Sequence, residues 1–408
     1  MKILYSIGIF FYNLLIKFSG RFNSKAKLRN DGVNLTFEAL KSFNSKHVIW
    51  VHCASLGEFE QGRPLIEKIK QKYSDYQIAL SFFSPSGYEI RKNYEFADLI
   101  FYLPGDSLKN AKRVISLLNP KCVFFVKYEF WYWYLHELKV QKIPIYLISG
   151  IFRKNQIFFK FYGSFFRNIL KNFTHLFVQN NSSADLLKQA GIQNVSITGD
   201  TRFDRVFKIA SNRKRIEIIE NFIKDKFIFV AGSTWKPDED IIFQFINLSG
   251  NKNVKYIVAP HEIKDENVKR ITDLTNKNVI HYSESNSKNI LSADILIIDN
   301  IGMLSSVYAY ADVAYIGGGF GAGIHNTLEA AVYGIPVIFG PKYQRFEEAK
   351  ELINRKAGYS ITNKNEFTGL IQKLIQDADF RKKCGNNAEI YIKENIGSTE
   401  KILNAVSL

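Results

Sequence analysis

A chain of 408 residues is too long for one ordinary core, so two domains of roughly 200 residues each are expected. Hydrophobic residues at 46% and charged residues at 23%, without any low-complexity tract, exclude a disordered chain. Lys and Arg outnumber Asp and Glu 55 to 39, and the net charge of +16 points to a polyanionic partner: nucleic acid, phosphorylated lipid or an anionic bilayer. The 3 cysteines, Cys53, Cys122 and Cys384, are scattered and form no CxxC pair, which argues against a disulfide framework or a structural zinc site and fits a reducing compartment.

Residues 1–30 open with an apolar run from Ile3 to Ile16, set between Lys2 and Lys17. A spanning helix needs about 20 apolar residues. This run is shorter, contains Asn13 and lacks a small-residue cleavage site, so it reads as a monotopic anchor, with a buried first helix as the alternative. Lys17, Arg21, Lys25, Lys27 and Arg29 then supply a basic cluster suited to the anionic cytoplasmic leaflet. A second basic, aromatic stretch runs from Ile151 to Phe173; its spacing suits a membrane-facing or acceptor-facing helix, and core packing explains its aromatics equally.

From His47 onward, short apolar runs alternate with amphipathic stretches: HVIWVH, YQIALSF, ADLIFYL, KCVFFV, IPIYLIS and HLFVQN. This alternation predicts a parallel sheet covered on both faces. The pattern restarts between Phe227 and Gly340 with FIFVAGS, VKYIVAP, NVIHY, DILIID, VAYIGGG and PVIFG. A charged helical connector lies between the two series, so the domain boundary is expected near residue 208, giving domains over 31–208 and 209–408. In open α/β sheets ligands sit beyond the carboxyl ends of the strands, so the loops after each run are where chemistry is sought.

The first such loop, HCASLGEFEQGRP, sets small residues before Glu58 at the start of a helix, where a carboxylate can act as a base or simply complement the helix dipole. KCVFFV runs into Glu129 within a heavily aromatic segment, a setting that can raise a carboxyl pKa. Gly232, Ser233 and Thr234 offer amides and hydroxyls to a phosphate, and Pro260 and His261 follow the next strand. Gly302 and Met303 lie beyond DILIID. Five glycines between 317 and 323 permit close approach to a nucleotide, and Asn326 and Glu329 follow, the latter suited to ribose hydroxyls. No GxGxxG follows the first strand and no Walker loop occurs, so NAD and ATP chemistry are not favoured.

Taken together and in order, HCASLGEFE, KYEFW, ITGDTRFD, GSTW, the Ala-Pro-His261 loop, DNIGML and HNTLEAA resemble the 3-deoxy-D-manno-octulosonic acid (Kdo) transferases of lipopolysaccharide assembly, which are GT-B glycosyltransferases. The resemblance implies an α/β fold of two Rossmann-like domains facing across a cleft, the second being the CMP-sugar donor domain. It implies transfer of Kdo from CMP-Kdo to a phosphorylated lipid A precursor, lipid IVA, with inversion, at the cytoplasmic face of the inner membrane. Glu58 falls on the family's general base, and Glu129 on its second essential glutamate. Arg202, with the amides of Gly232 to Thr234, would meet the leaving phosphate. The CMP-binding positions fall on Pro260 and His261, on Ile301, Gly302 and Met303, and on Asn326, Thr327, Leu328 and Glu329. Three departures stand out: Lys127 replaces the first acid of the family's second motif, His261 stands where many members have arginine, and Met303 where they have glutamate. No cofactor beyond the donor and no tightly held metal are expected, since no Asp-x-Asp or His/carboxylate cluster occurs and CMP leaves with a single phosphate.

Two other readings compete. A UDP-sugar epimerase uses the same scaffold but predicts a soluble protein, which the apolar N-terminus opposes. A nucleic-acid platform would use the positive charge, but no RNA- or DNA-binding motif is found.

Overall fold

The computed structural model describes residues 1–213 and 215–408. Its contacts divide into two units, one of residues 1–205 with 396–408, the other of residues 206–395.

The first unit is built on seven parallel strands: β1 (Val48–Cys53), β2 (Gln77–Phe82), β3 (Leu99–Tyr102), β4 (Pro120–Val126), β5 (Ile145–Gly150), β6 (His175–Val178) and β7 (Val195–Ile197). They lie in the order β3-β2-β1-β4-β5-β6-β7. The apolar runs form strands because helices cover both faces, so consecutive side chains are buried rather than alternate ones. All six residues of β1 are buried. Ile49, Val51 and Cys53 join the core under the helix Leu56–Lys72, with Phe59, Leu65 and Ile66. Val48 and Trp50 join the opposite core, with Phe101, Val123, Phe125 and Tyr134.

The second unit repeats the plan with β8 (Phe227–Thr234), β9 (Val254–Pro260), β10 (Val279–His281), β11 (Ile295–Ile297), β12 (Val313–Ile316), β13 (Val337–Phe339) and β14 (Gly358–Ser360), ordered β10-β11-β9-β8-β12-β13-β14. In each sheet the order of strand addition reverses once, between β1 and β4 and between β8 and β12. Twelve of the strands coincide with the apolar runs. The two that the pattern missed, β7 and β14, are edge strands with one neighbour each whose residues, VSI and GYS, form no apolar run.

The sequence reading carried residues 396–408 with the second domain, but the last helix, Ser398–Ala405, returns to the first unit. Ile402, Leu403 and Val406 pack into the core with Phe59 and Phe124. The Asp204 carboxylate accepts hydrogen bonds from Gly397 N at 2.5 Å and from Thr399 N and Oγ1 at 2.6 Å, which caps this helix.

The N-terminal helix, Lys2–Ser19, has no buried residue. One side is held to the first unit: Tyr5 Oη donates to Asp106 Oδ2 at 2.6 Å, and Trp133 Nε1 donates to Ser6 Oγ at 3.1 Å. Ile3, Leu4, Phe10 and Leu15 stay exposed, and the helix is long and apolar enough to cross a membrane. The basic cluster after it needs one correction. Arg29 is buried, donates to Phe83 O and Leu103 O at 3.0 and 3.3 Å and lies over the Phe83 ring, whereas Lys17, Arg21, Lys25 and Lys27 are exposed. The stretch Ile151–Phe173 is likewise not one interfacial helix. It folds into a 3-10 turn, Ile157–Phe159, and a short helix, Ser164–Leu170, whose Phe158, Ile169 and Leu170 enter the core with Phe152 and Phe173. Phe161 and Tyr162 stay exposed at its tip.

Replacing Asp204 with alanine leaves three donors at the start of the last helix without their acceptor. Asp204→Ala is therefore expected to destabilise the protein by about 1–2 kcal/mol, read as a lowered urea midpoint with unchanged far-ultraviolet circular dichroism.

Candidate active site

The helix Leu56–Lys72 starts directly after β1, and its first turn carries Glu58. Glu58 Oε2 accepts from Ala54 N at 2.6 Å and Ser55 N at 3.2 Å, the return half of a capping box. Of the two roles foreseen at this position, these bonds make the capping one, and the carboxyl that makes it lies at the carboxyl edge of the sheet. Oε1 takes no hydrogen bond among the described residues. Burial pushes the Glu58 carboxyl up to about 8, and the negative charge of Glu129 adds to that; the Ala54 amide, Lys127 and the Ser55 amide pull it back.

Glu129 follows β4, the strand beside β1 at the reversal of strand order. Its Oε2 lies 3.1 Å from His52 Nε2 and accepts from Trp131 Nε1 at 2.6 Å. Lys127, the first residue after β4, is left-handed at φ 66°, a conformation that costs a non-glycine residue energy and recurs where function constrains the backbone. Its amide donates to Ile148 O at 3.0 Å, which holds the bend.

Arg202 is linked to the same helix through Asp200. Its Nε and Nη2 donate to Asp200 Oδ2 at 2.9 and 2.7 Å, and Gln61 Nε2, one turn on from Glu58, donates to both Asp200 oxygens at 3.1 Å. Arg202 and its hydrogen bonds hold the buried Asp200 carboxyl below its ordinary range against the cost of burial. The arginine is thus a fixed group rather than a mobile one.

In the second unit, the loop after β8 and the glycine run after β12 meet at the other reversal. Gly317 N donates to Gly232 O at 2.9 Å, and a Cβ at Gly317 would lie 2.2 Å from Ser233 O, so only glycine permits this approach. Gly232 itself is a packing residue, since a Cβ there would strike the Tyr308 hydroxyl. Ser233 is left-handed at φ 53°. Thr234 Oγ1 donates to Glu239 Oε1 at 2.9 Å, and Asp238 Oδ2 accepts from Trp235 N and Gly318 N at 3.0 and 2.8 Å, tying the two loops together.

Over these loops the Trp235, His261 and His325 rings stack, with centroids 4.6 Å apart for Trp235 and His261 and 4.4 Å for His261 and His325. Trp235 Nε1 donates to His325 Nε2 at 3.0 Å, so neutral His325 carries its hydrogen on Nδ1. Burial, and after it the neighbouring His261, lower His325 to about 4. His261 was expected from sequence, next to Pro260 at the end of β9; His325 was not, although it stands within HNTLEAA. Asn326 Nδ2 donates to Glu329 Oε1 at 3.0 Å, which sets the carboxylate. Thr327 and Leu328 are fully buried, so Leu328 can meet a ligand only through its main chain. Ile301 is exposed at the end of its loop, with Gly302 left-handed and Met303 half-buried; none of the hydrogen bonds described above joins these three to the stacked rings.

Residues 30–205, which contain Glu58, Glu129 and Arg202, match the model of the 3-deoxy-D-manno-octulosonic-acid transferase (Kdo transferase) family. The chain is 28% identical over 356 residues to the 3-deoxy-D-manno-octulosonic acid transferase of Aquifex aeolicus, covering 84% of this chain and 92% of that one. Over most of its length the chain is thus similar to Kdo transferases. The corresponding enzyme of Haemophilus influenzae is 25% identical over 369 residues, 87% of this chain and 85% of its own. Among solved structures, UDP-GlcNAc 2-epimerase from Neisseria meningitidis superposes with a TM-score of 0.62 at 16% identity, covering 88% of this chain and 98% of that one. A putative UDP-N-acetylglucosamine 2-epimerase from Listeria monocytogenes gives 0.60 at 13%, covering 88% and 96%. At such identities these two establish the shared GT-B fold alone.

Because His325 is less easily protonated in the folded protein than its ordinary value of 6.5 implies, the unfolded chain binds more protons there. Its contribution to stability is complete above pH 6.5 and is lost as pH falls toward about 4. Urea midpoints measured across that window should fall less steeply for His325→Asn than for the wild type.

Proposed function

We propose that the protein transfers Kdo from CMP-Kdo to a hydroxyl of a phosphorylated lipid A precursor, lipid IVA, with Glu58 as general base and inversion at the anomeric carbon. The observation that carries this reading is the Glu58 carboxyl at the β1/β4 edge, raised to about 8 and paired with Glu129. A base works best when its pKa lies near the working pH, and an ordinary surface glutamate is far too weak. Glu58 takes the acceptor's hydroxyl proton as that oxygen bonds to the anomeric carbon and the bond from that carbon to the CMP phosphate oxygen breaks. The electron pair of the broken bond leaves on the phosphate, whose charge is assigned to Arg202 and the loop Gly232–Thr234. Pro260 and His261, Ile301 to Met303, and Asn326 to Glu329 are assigned to CMP. Direct displacement with one departing phosphate calls for no cofactor beyond the donor and for no tightly held metal.

The acceptor's location is read from the N-terminal helix. Its exposed Ile3, Ile7, Phe10 and Phe11 line a groove of about 590 Å³ with Trp133. Lys17, Arg21, Lys25 and Lys27 follow on the exposed surface. Apolar side chains beside cations suit the cytoplasmic face of the inner membrane and a phosphorylated lipid.

Purified protein incubated with CMP-Kdo and a tetraacylated lipid A precursor should release CMP and yield the product mass of one or more added Kdo units, whereas turnover of UDP-GlcNAc instead would establish the epimerase alternative. Glu58→Gln should lower turnover ~10²–10⁴-fold with CMP affinity by calorimetry unchanged; near-normal turnover would refute the base assignment. Since the protonated carboxyl cannot accept a proton, kcat/KM of the wild type should rise with pH through about 8.

A further inference from the structure

Behind Glu129 lies a line of polar side chains inside the first unit that the transfer chemistry leaves unassigned. Trp50 and His52 on β1 and Ser81 on β2 are 0% exposed. Trp50 Nε1 donates to Ser81 Oγ at 2.7 Å, and Ser81 Oγ lies 2.8 Å from His52 Nδ1. An ionised Glu129 can only accept, so the imidazole hydrogen belongs on Nε2, facing Glu129 Oε2 at 3.1 Å, and Nδ1 of the neutral ring accepts from the Ser81 hydroxyl. If the imidazole were instead protonated, Nε2 would donate all the same. Trp131 Nε1 gives the same carboxylate oxygen a second hydrogen bond at 2.6 Å.

This line is costly for a protein that needs only a packed sheet. The face it shares holds Val48, Trp50, Ala79, Val123 and Phe125, all within one apolar core, and His52 and Ser81 are its polar members at the carboxyl end. Buried polar side chains are tolerated when every partner is satisfied, and here the last partner is the carboxylate beside Glu58.

We propose that His52, backed by Ser81 and Trp50, is the positioning residue of the catalytic pair: its Nε2–H, together with the Trp131 indole, fixes the Glu129 carboxylate in place beside Glu58. The inference rests on Glu58 being the base. The groups facing Glu58 are Glu129 and Lys127 beyond β4, the amides of Ala54 and Ser55, the Cys53 thiol at the end of β1, and Glu60 on its own helix. Cys53 is held neutral by burial and then by the charges of Glu58, Glu129 and Glu60. Burial is the largest influence on Glu58, and the Glu129 charge acts in the same direction, opposed by Lys127.

The test compares pH profiles of kcat/KM for the full-length wild type, His52→Leu, His52→Gln and Trp131→Phe. Without that donor the Glu129 side chain is free to turn away, its negative charge is withdrawn from Glu58, and Glu58 becomes a weaker base. The acid limb should therefore move to lower pH in His52→Leu and Trp131→Phe, while the plateau falls on the order of 10²-fold for His52→Leu. His52→Gln, which keeps an N–H of similar reach, should restore most of both. Trp131 is only partly buried and stacks on Phe83, so Trp131→Phe keeps the test valid should His52→Leu not fold. Variants folded by circular dichroism that keep the wild-type acid limb, in a protein where Glu58→Gln is inactive, would overturn the role of His52 and leave the base in place. Full transfer by Glu58→Gln would overturn both.

Discussion

A parallel sheet can change the direction in which strands are added, and where it does so the two loops flanking the change leave toward opposite faces and open a notch at the carboxyl edge. In this chain that happens between β1 and β4, and again between β8 and β12. Everything chemical in the first unit follows from the first of these. The loops after β1 and β4 are far apart in sequence, yet parallel pairing of His52 with Phe125 makes them neighbours and sets Glu58 against Glu129. The second reversal does the same for the turn after β8 and the glycine run after β12, whose carbonyls and amides interlock.

Bringing two carboxyls to one edge has an electrostatic cost that the fold meets in unequal ways. Glu129 is given two strong donors, from His52 and Trp131, while the donors to Glu58 are backbone amides that its position on the helix would supply in any case. The pair is therefore asymmetric: side chains fix one member, while burial drives the other toward its neutral form. The second unit shows a related economy: a half-buried histidine next to another histidine is kept neutral, and its single ring hydrogen is directed by a tryptophan.

Much of this was legible in the residues. The apolar runs marked the central strands because burial on both faces removes any need for polar alternation, and Glu58, Glu129 and the glycine run were visible because they stand just after such runs. What could not be read is what depends on the third dimension. His52 is hidden inside HVIWVH, where it looks like the end of an apolar strand, and its partner Ser81 lies on another strand altogether. Arg29 looked like one more cation of a basic segment, but two carbonyls and a phenyl ring claim it. The edge strands Val195–Ile197 and Gly358–Ser360 carry too few apolar residues to announce themselves, since one neighbour and partial exposure demand little of a side chain.

The return of Ser398–Ala405 to the first unit has a bearing on how the molecule comes into being. Its Ile402 and Leu403 complete an apolar layer whose other members, around Phe59 and Phe124, are synthesised hundreds of residues earlier. That layer stays open until this segment has been made, so the earlier-made part waits for the later-made one. Holding the seam shut then falls to a short helix capped by Asp204, and loosening it would expose the underside of the helix that carries Glu58.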